Sequence, residues 1–87
     1  MGARSLGGNY YTNITTNSWI RGSDGMYTMT ILNDYHSLGA YCHLHITRYD
    51  NGVYKPVVVP YEIATNGDIT AYSSEAFSGM AYVVSGV

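Results

Sequence analysis

An all-β fold, a small antiparallel β-sandwich of jelly-roll-like form with roughly six to eight short strands, is what this 87-residue sequence predicts. Three observations carry that reading. Ten Tyr stand beside many Val, Ile and Thr, which suit a pleated, half-buried surface, whereas helix formers are scarce: one Lys, two Glu and no Gln. Apolar residues recur with a period of two along the best-patterned segments. Clusters of Gly, Asn, Asp and Ser interrupt those segments at short intervals, as in sandwiches and barrels.

Residues 1–8 (MGARSLGG) are small and Gly-rich with no hydrophobic period, so they read as an arm or linker ahead of one domain over residues 9–87. Residues 10–20 (YYTNITTNSWI) are β-prone but interrupted by Asn and Ser, which predicts one or two short strands with a turn near Asn17. Gly22-Ser23-Asp24-Gly25 is a turn by composition. Residues 26–32 (MYTMTIL) then alternate, with Tyr27, Met29 and Ile31 on one face and Met26, Thr28 and Thr30 on the other. Residues 33–39 (NDYHSLG) form a loop, and no helix longer than a turn is expected.

The longest strand is expected over residues 40–49 (AYCHLHITRY), with Ala40, Cys42, Leu44 and Ile46 as its core face. Asp50-Asn51-Gly52 holds residues that tolerate or prefer a left-handed backbone, so it closes a hairpin into residues 53–63. Pro56 and Pro60 flank three valines there, and a residue without an N–H makes the return segment an edge strand or breaks it. Thr65-Asn66-Gly67-Asp68 makes a further turn, residues 69–72 a short strand, and residues 80–85 (MAYVVS) the closing strand.

Four basic and six acidic residues give a net charge of −2 with no basic run, which argues against binding nucleic acid or anionic lipid. One Cys excludes an internal disulfide and a zinc site built by one chain. No run approaches a membrane span, so no membrane insertion is expected, and the apolar stretch near Trp19 lacks the order of a secretory signal. The expected setting is therefore the cytoplasm of synthesis, or delivery within an assembly. A chain of this size buries only about 60% of its unfolded surface. Its charged fraction is 11%, against roughly 25% in average soluble proteins, so much of its surface is expected to face copies of itself. The alternative is a monomeric sandwich with a Tyr- and Thr-rich surface.

His43 and His45 share one side of a strand and suit a transition metal, but two imidazoles do not complete a site. Three chains about a threefold axis would supply six. The alternative is that both are polar-face residues packed beside Tyr41, Thr47 and Tyr49. Cys42 falls on the core face, no Gly-x-Ser-x-Gly elbow exists, and most carboxylates sit in turns where Asp has a backbone reason to be, so no enzyme is expected. Asn13-Ile14-Thr15 matches the glycosylation pattern only weakly in meaning. Exposed tyrosines are the better clue, since flat rings with nearby hydroxyls and amides bind sugars or apolar patches at low entropic cost. The candidate ligand-binding residues are Tyr35 and His36 in the first long loop, Tyr49, Asp50, Asn51 and Tyr54 around the hairpin, and Tyr72 near the last turn. His36 shows no partner in the sequence.

The succession Tyr27-Thr28-Met29-Thr30-Ile31, Leu38-Gly39-Ala40, Tyr49-Asp50-Asn51-Gly52, Asn66-Gly67-Asp68-Ile69 and Ala76-Phe77-Ser78-Gly79 leading to Tyr82-Val83-Val84 resembles the C-terminal tip domains of bacteriophage tail fibres and related receptor-binding proteins. The resemblance covers roughly residues 19–87 and is a pattern of turns and strands. It implies a homotrimer about a fibre axis, located in the virion beside other virion proteins, that attaches to a bacterial surface glycan or protein through its distal loops without catalysis. It also implies iron or another transition metal at His43 and His45 of the trimer. Two other functions compete: a structural virion protein, such as a capsid decoration or head-fibre domain, and a small carbohydrate-binding module.

Overall fold

The computed structural model describes residues 9–86, so the arm expected over residues 1–8 lies outside the described residues. Eight strands follow in order: β1 (Tyr10–Ile14), β2 (Ile20–Arg21), β3 (Tyr27–Ile31), β4 (Cys42–Asp50), β5 (Val53–Val57), β6 (Tyr61–Ile63), β7 (Ile69–Ser73) and β8 (Gly79–Ser85). They make two four-stranded antiparallel sheets, ordered β1-β8-β4-β5 and β2-β3-β7-β6. The layers match the expected sandwich. Its chain path differs from a jelly roll, because β2–β3, β4–β5 and β6–β7 are neighbours within a sheet, and the chain changes layer between those pairs.

Alternation decides which side chains meet between the layers. From the first sheet come Tyr10, Ile14, Cys42, Leu44, Ile46, Ala81 and Val83, and from the second Met29, Ile31, Ile69 and Ala71, joined by Trp19 and Phe77 from the connections. The predicted face of Tyr27, Met29 and Ile31 is the one β3 turns inward, and Cys42, Leu44 and Ile46 are the observed core face of β4, whereas Ala40 lies in the turn before β4 and outside the core. Trp19 and Phe77 close one end of the sandwich. Their rings lie 5.1 Å apart, and Trp19 Nε1–H donates to the Phe77 carbonyl at 3.0 Å. The Arg48 guanidinium stands 5.3 Å from the Phe77 ring centre and pairs with Glu75 at 2.6 Å, so the aromatic plug is capped by a partly exposed ion pair.

Residues 53–63 break after Val57, ahead of Pro60, while Pro56 stays within β5 opposite Thr47. Up to Val57 the segment pairs with β4, opposite Ile46. By Pro60 it has crossed layers, since the Pro60 carbonyl accepts from Tyr72 N–H at 2.9 Å, and β6 then pairs with β7.

The other end is held by a polar anchor. Residues 33–39 contain one α-turn, α1 (Asn33–His36), capped by Ser37 in the left-handed region at φ 59°. Asn33 N–H donates to Asp68 at 2.8 Å, and Gly39 N–H donates to Asn33 Oδ1 at 2.9 Å. His36 corrects the sequence reading. It is not a loop residue without a partner: it is 2% exposed, Nε2–H donates to the Gly67 carbonyl at 2.7 Å, and Nδ1 accepts from Leu38 N–H at 3.0 Å. A carbonyl only accepts and an amide only donates, so these partners fix the tautomer. Gly67 completes the anchor, because at φ +99° a Cβ there would stand 2.6 Å from Asn33 Oδ1. Among the described residues no helix is long and apolar enough to cross a membrane.

Candidate functional site

The seven ligand-binding candidates do not form one site. Tyr49, Asp50, Asn51 and Tyr54 gather at the β4–β5 hairpin. Its two-residue turn has Asn51 at φ 51° and Gly52 at φ 84°, the paired left-handed conformation that this sequence predicts. Such a turn pins the register, so Tyr49 stands directly opposite Tyr54. The main-chain groups of Tyr49 point toward β8, where its N–H donates to the Ser78 carbonyl at 2.7 Å. The Tyr49–Tyr54 pair is therefore the close, non-hydrogen-bonded kind, which brings side chains nearest. Their ring centres are 5.2 Å apart at 60°, and each residue is about half exposed.

Beside the rings lies a shallow groove of about 270 Å³, formed with Asn13, Ile14, Thr15, Ser78 and Gly79. Gly79 is required for it. A Cβ there would collide with the Thr47 carbonyl of β4, so only a bare backbone lets β8 approach so closely. The nearby charges are paired: Asp50 with Lys55 at 3.1 Å, and Arg48 with Glu75. The result is two tilted rings, one amide side chain and small hydroxyls around a neutral depression.

The remaining candidates lie elsewhere. Tyr35, on α1, is 52% exposed and lines a second groove that runs from Tyr10 and Ile31 along β1 to Asn13. Tyr72 is a strand residue of β7 on the outer face of the second sheet, where its hydroxyl donates to Glu62 at 2.8 Å. That bond holds the phenol above its ordinary titration range, with desolvation and the Glu62 charge adding to the effect. His36 is the buried anchor already described.

His43 and His45 are exposed on the outer face of β4, opposite Val84 and Tyr82 of β8. Among the described residues no group of three or more His, Cys, Asp or Glu side chains is placed to hold a metal ion. One chain thus offers two donors and not a coordination sphere. Cys42 is buried, its thiol 3.5 Å from the Gly39 carbonyl, and burial pushes its pKa up. Five carboxylates serve local structure: Asp24 accepts from Met26 N–H, Asp68 from Asn33 N–H and Glu62 from Tyr72, while Asp50 and Glu75 form the two ion pairs. Sequence reasoning missed Asn13, Thr15 and Ser78 as neighbours of the hairpin. The Asn13-Ile14-Thr15 pattern does not point to the hairpin, because β1 lies beside β4 only through β8, and Ser78 meets Tyr49 by a main-chain bond that no local pattern marks.

Comparison with known proteins finds no matching family model, no matching curated protein and no matching solved structure.

Proposed function

We propose that this chain is a non-enzymatic receptor-binding domain of the bacteriophage fibre-tip kind, attaching to neutral carbohydrate on the bacterial surface through its hairpin end. The observation that carries the reading is the exposed Tyr49–Tyr54 pair beside the groove of Asn13, Thr15 and Ser78. A pyranose presents an apolar C–H face for such rings and hydroxyls around its rim for the amide and hydroxyl groups, and side chains of this kind bind with little loss of rotamer freedom. Paired charges around the groove favour an uncharged sugar over a uronic or sialic acid.

The test is a panel of purified bacterial surface polysaccharides, followed by calorimetric titration of any that bind. Tyr49→Ala and Tyr54→Ala are expected to weaken binding at least about tenfold, the equivalent of one lost stacking contact. Tyr35→Ala and Tyr72→Phe, remote from the groove, should bind as the parent does. Binding indifferent to Tyr49 and Tyr54, or none across the panel, refutes the assignment.

A second reading, a structural virion component packed against its own copies, is favoured by the outer face of the first sheet. Tyr11, His43, His45, Thr47, Met80, Tyr82 and Val84 alternate with the core residues there, and no Asp, Glu, Lys or Arg stands among them. Identical copies would meet on that face without charge repulsion. Association only with a capsid lattice, without glycan or cell binding, favours this reading over the first; solution mass with metal analysis on the same peak bears on both, since a trimer supports assembly and iron at His43 and His45, and a monomer leaves a small binding module.

A further inference from the structure

We propose that the open edge of β4 at residues 42–45, with the apolar groove beside it, accepts an extended segment of another polypeptide as an added strand. β4 is nine residues long, but β5 pairs only with residues 46–50. Among the described residues, 42–45 have β8 on one side and no strand on the other.

The direction of the main chain there follows from two bonds. Gly86 N–H donates to the Tyr41 carbonyl and Tyr49 N–H donates to the Ser78 carbonyl, so odd-numbered residues of β4 present their main-chain groups toward β8. Alternation turns the N–H and C=O of Cys42 and Leu44 to the opposite side. Extending the β4–β5 register by two residues would bring Val59 opposite Leu44. That partner is withdrawn, because the chain leaves for the second sheet and the Pro60 carbonyl is already bound to Tyr72 N–H.

The vacated space is a groove of about 520 Å³ walled by Leu44, Ile46, Val57, Val58, Val59 and Tyr61, with no Asp, Glu, Lys or Arg in its lining. Val58 is fully exposed at its rim. Thr47, also in the lining, holds a buried Oγ1 with no hydrogen-bond partner. A lipid tail or an aromatic small molecule would match the apolar walls and leave the Leu44 amide and carbonyl unpaired. An extended peptide satisfies both, with ladder bonds from its backbone and apolar, uncharged side chains at alternate positions facing the groove. The adjacent edge strands exclude such a guest: β5 carries Lys55 and Pro56, and β6 carries Glu62 after Pro60. Only the β4 stretch on this side is undefended.

The probe is a display library of random nonapeptides selected against the full chain, with Val58→Asp as the counter-selected variant. Substitution at a fully exposed position leaves the fold intact and puts a charge at the rim. Expected is enrichment of sequences with apolar residues at alternate positions, binding the parent at least tenfold more tightly than the variant. Amide exchange by NMR supplies the second readout: in the free chain the Leu44 amide exchanges faster than those of His43 and His45, and a selected peptide slows Leu44 at least tenfold. A Leu44 amide protected in the free chain and released on dilution would make a second copy the occupant and overturn the assignment. No enrichment, non-alternating winners, or equal binding to Val58→Asp would also overturn it.

Discussion

Phe77→Ala tests how the sandwich is closed. Phe77 is 6% exposed and touches three things: the core, the Trp19 ring at 5.1 Å and the Arg48 guanidinium at 5.3 Å. Truncating a buried Phe to Ala removes about 3–5 kcal/mol, transfer and cavity terms together. Within that total the tilted pair with Trp19 accounts for about 0.5–1.5 kcal/mol, and the cation over the ring for about 0.5–1 kcal/mol, because Arg48 is partly exposed. The Trp19 indole bond survives, since its acceptor is the Phe77 backbone carbonyl. At roughly 0.05–0.15 kcal/mol per residue a chain of this length holds about 4–13 kcal/mol, so the loss is about a quarter of the total or more.

The assay is urea unfolding followed by the fluorescence of Trp19, the single Trp, which is buried in the plug. Phe77→Leu is run beside it. Leucine keeps most of the apolar volume and forfeits the ring contacts, so about 1–2 kcal/mol is expected. With a urea slope near the low end of the usual range, about 1 kcal/mol/M, that is a midpoint lowered by about 1–2 M. Phe77→Ala should fall further or be unfolded in buffer. A Phe77→Ala midpoint within about 0.3 M of the parent, or Trp19 emission unchanged in wavelength, would show that Phe77 does not close the core.

Gly79→Ala should destabilise by about 3 kcal/mol, the upper part of the overpacking range, because the new methyl meets the rigid Thr47 carbonyl and not a side chain that can move; thermal melting checks it, and an unchanged melting point refutes the close approach of β8 to β4. Cys42 should react with Ellman's reagent only as fast as the protein opens, since burial disfavours the thiolate. The same shift sets an alkaline signature. The folded pKa lies above the unfolded one, so the Cys42 contribution is complete below the unfolded thiol's value near pH ~8.5 and is lost as pH rises through the folded value. Cys42→Ala should remove that part of the alkaline loss in denaturant titrations across pH 8–11.

The elements most legible in the sequence are those whose cause is local. Alternation alone separates the two faces of β3 and names the core face of β4 from Cys42 to Ile46, and Asp50-Asn51-Gly52 names a hairpin because its turn needs two left-handed residues in succession. His36 shows the limit. Its partners are a carbonyl 31 residues away and an amide two residues on, and a histidine satisfied in this way leaves the same local pattern as one on the surface. The scatter of the tyrosines has the same origin. Tyr35, Tyr54 and Tyr72 are alike in composition, but sheet order sends one to each of three places, and sheet order is a long-range property.

Pro56 and Pro60 connect the legible part to the rest. Pro56 stands opposite Thr47, a position whose main-chain groups turn away from β4, so its missing N–H removes no ladder bond and blocks the outer edge instead. One residue later, at Val57, a proline would delete a bond to Ile46. Pro60 is used through its carbonyl alone, by Tyr72 of the other layer. Together they let the chain pair with β4 as far as Ile46 and then leave, which makes β5 a safe edge and moves β6 into the second sheet. The same departure strips Leu44 of its partner and opens the apolar groove. A sequence that solves the edge problem at β5 with proline thereby transfers it two residues along β4, and the unpaired main chain at Leu44 is where a second polypeptide has something to bind.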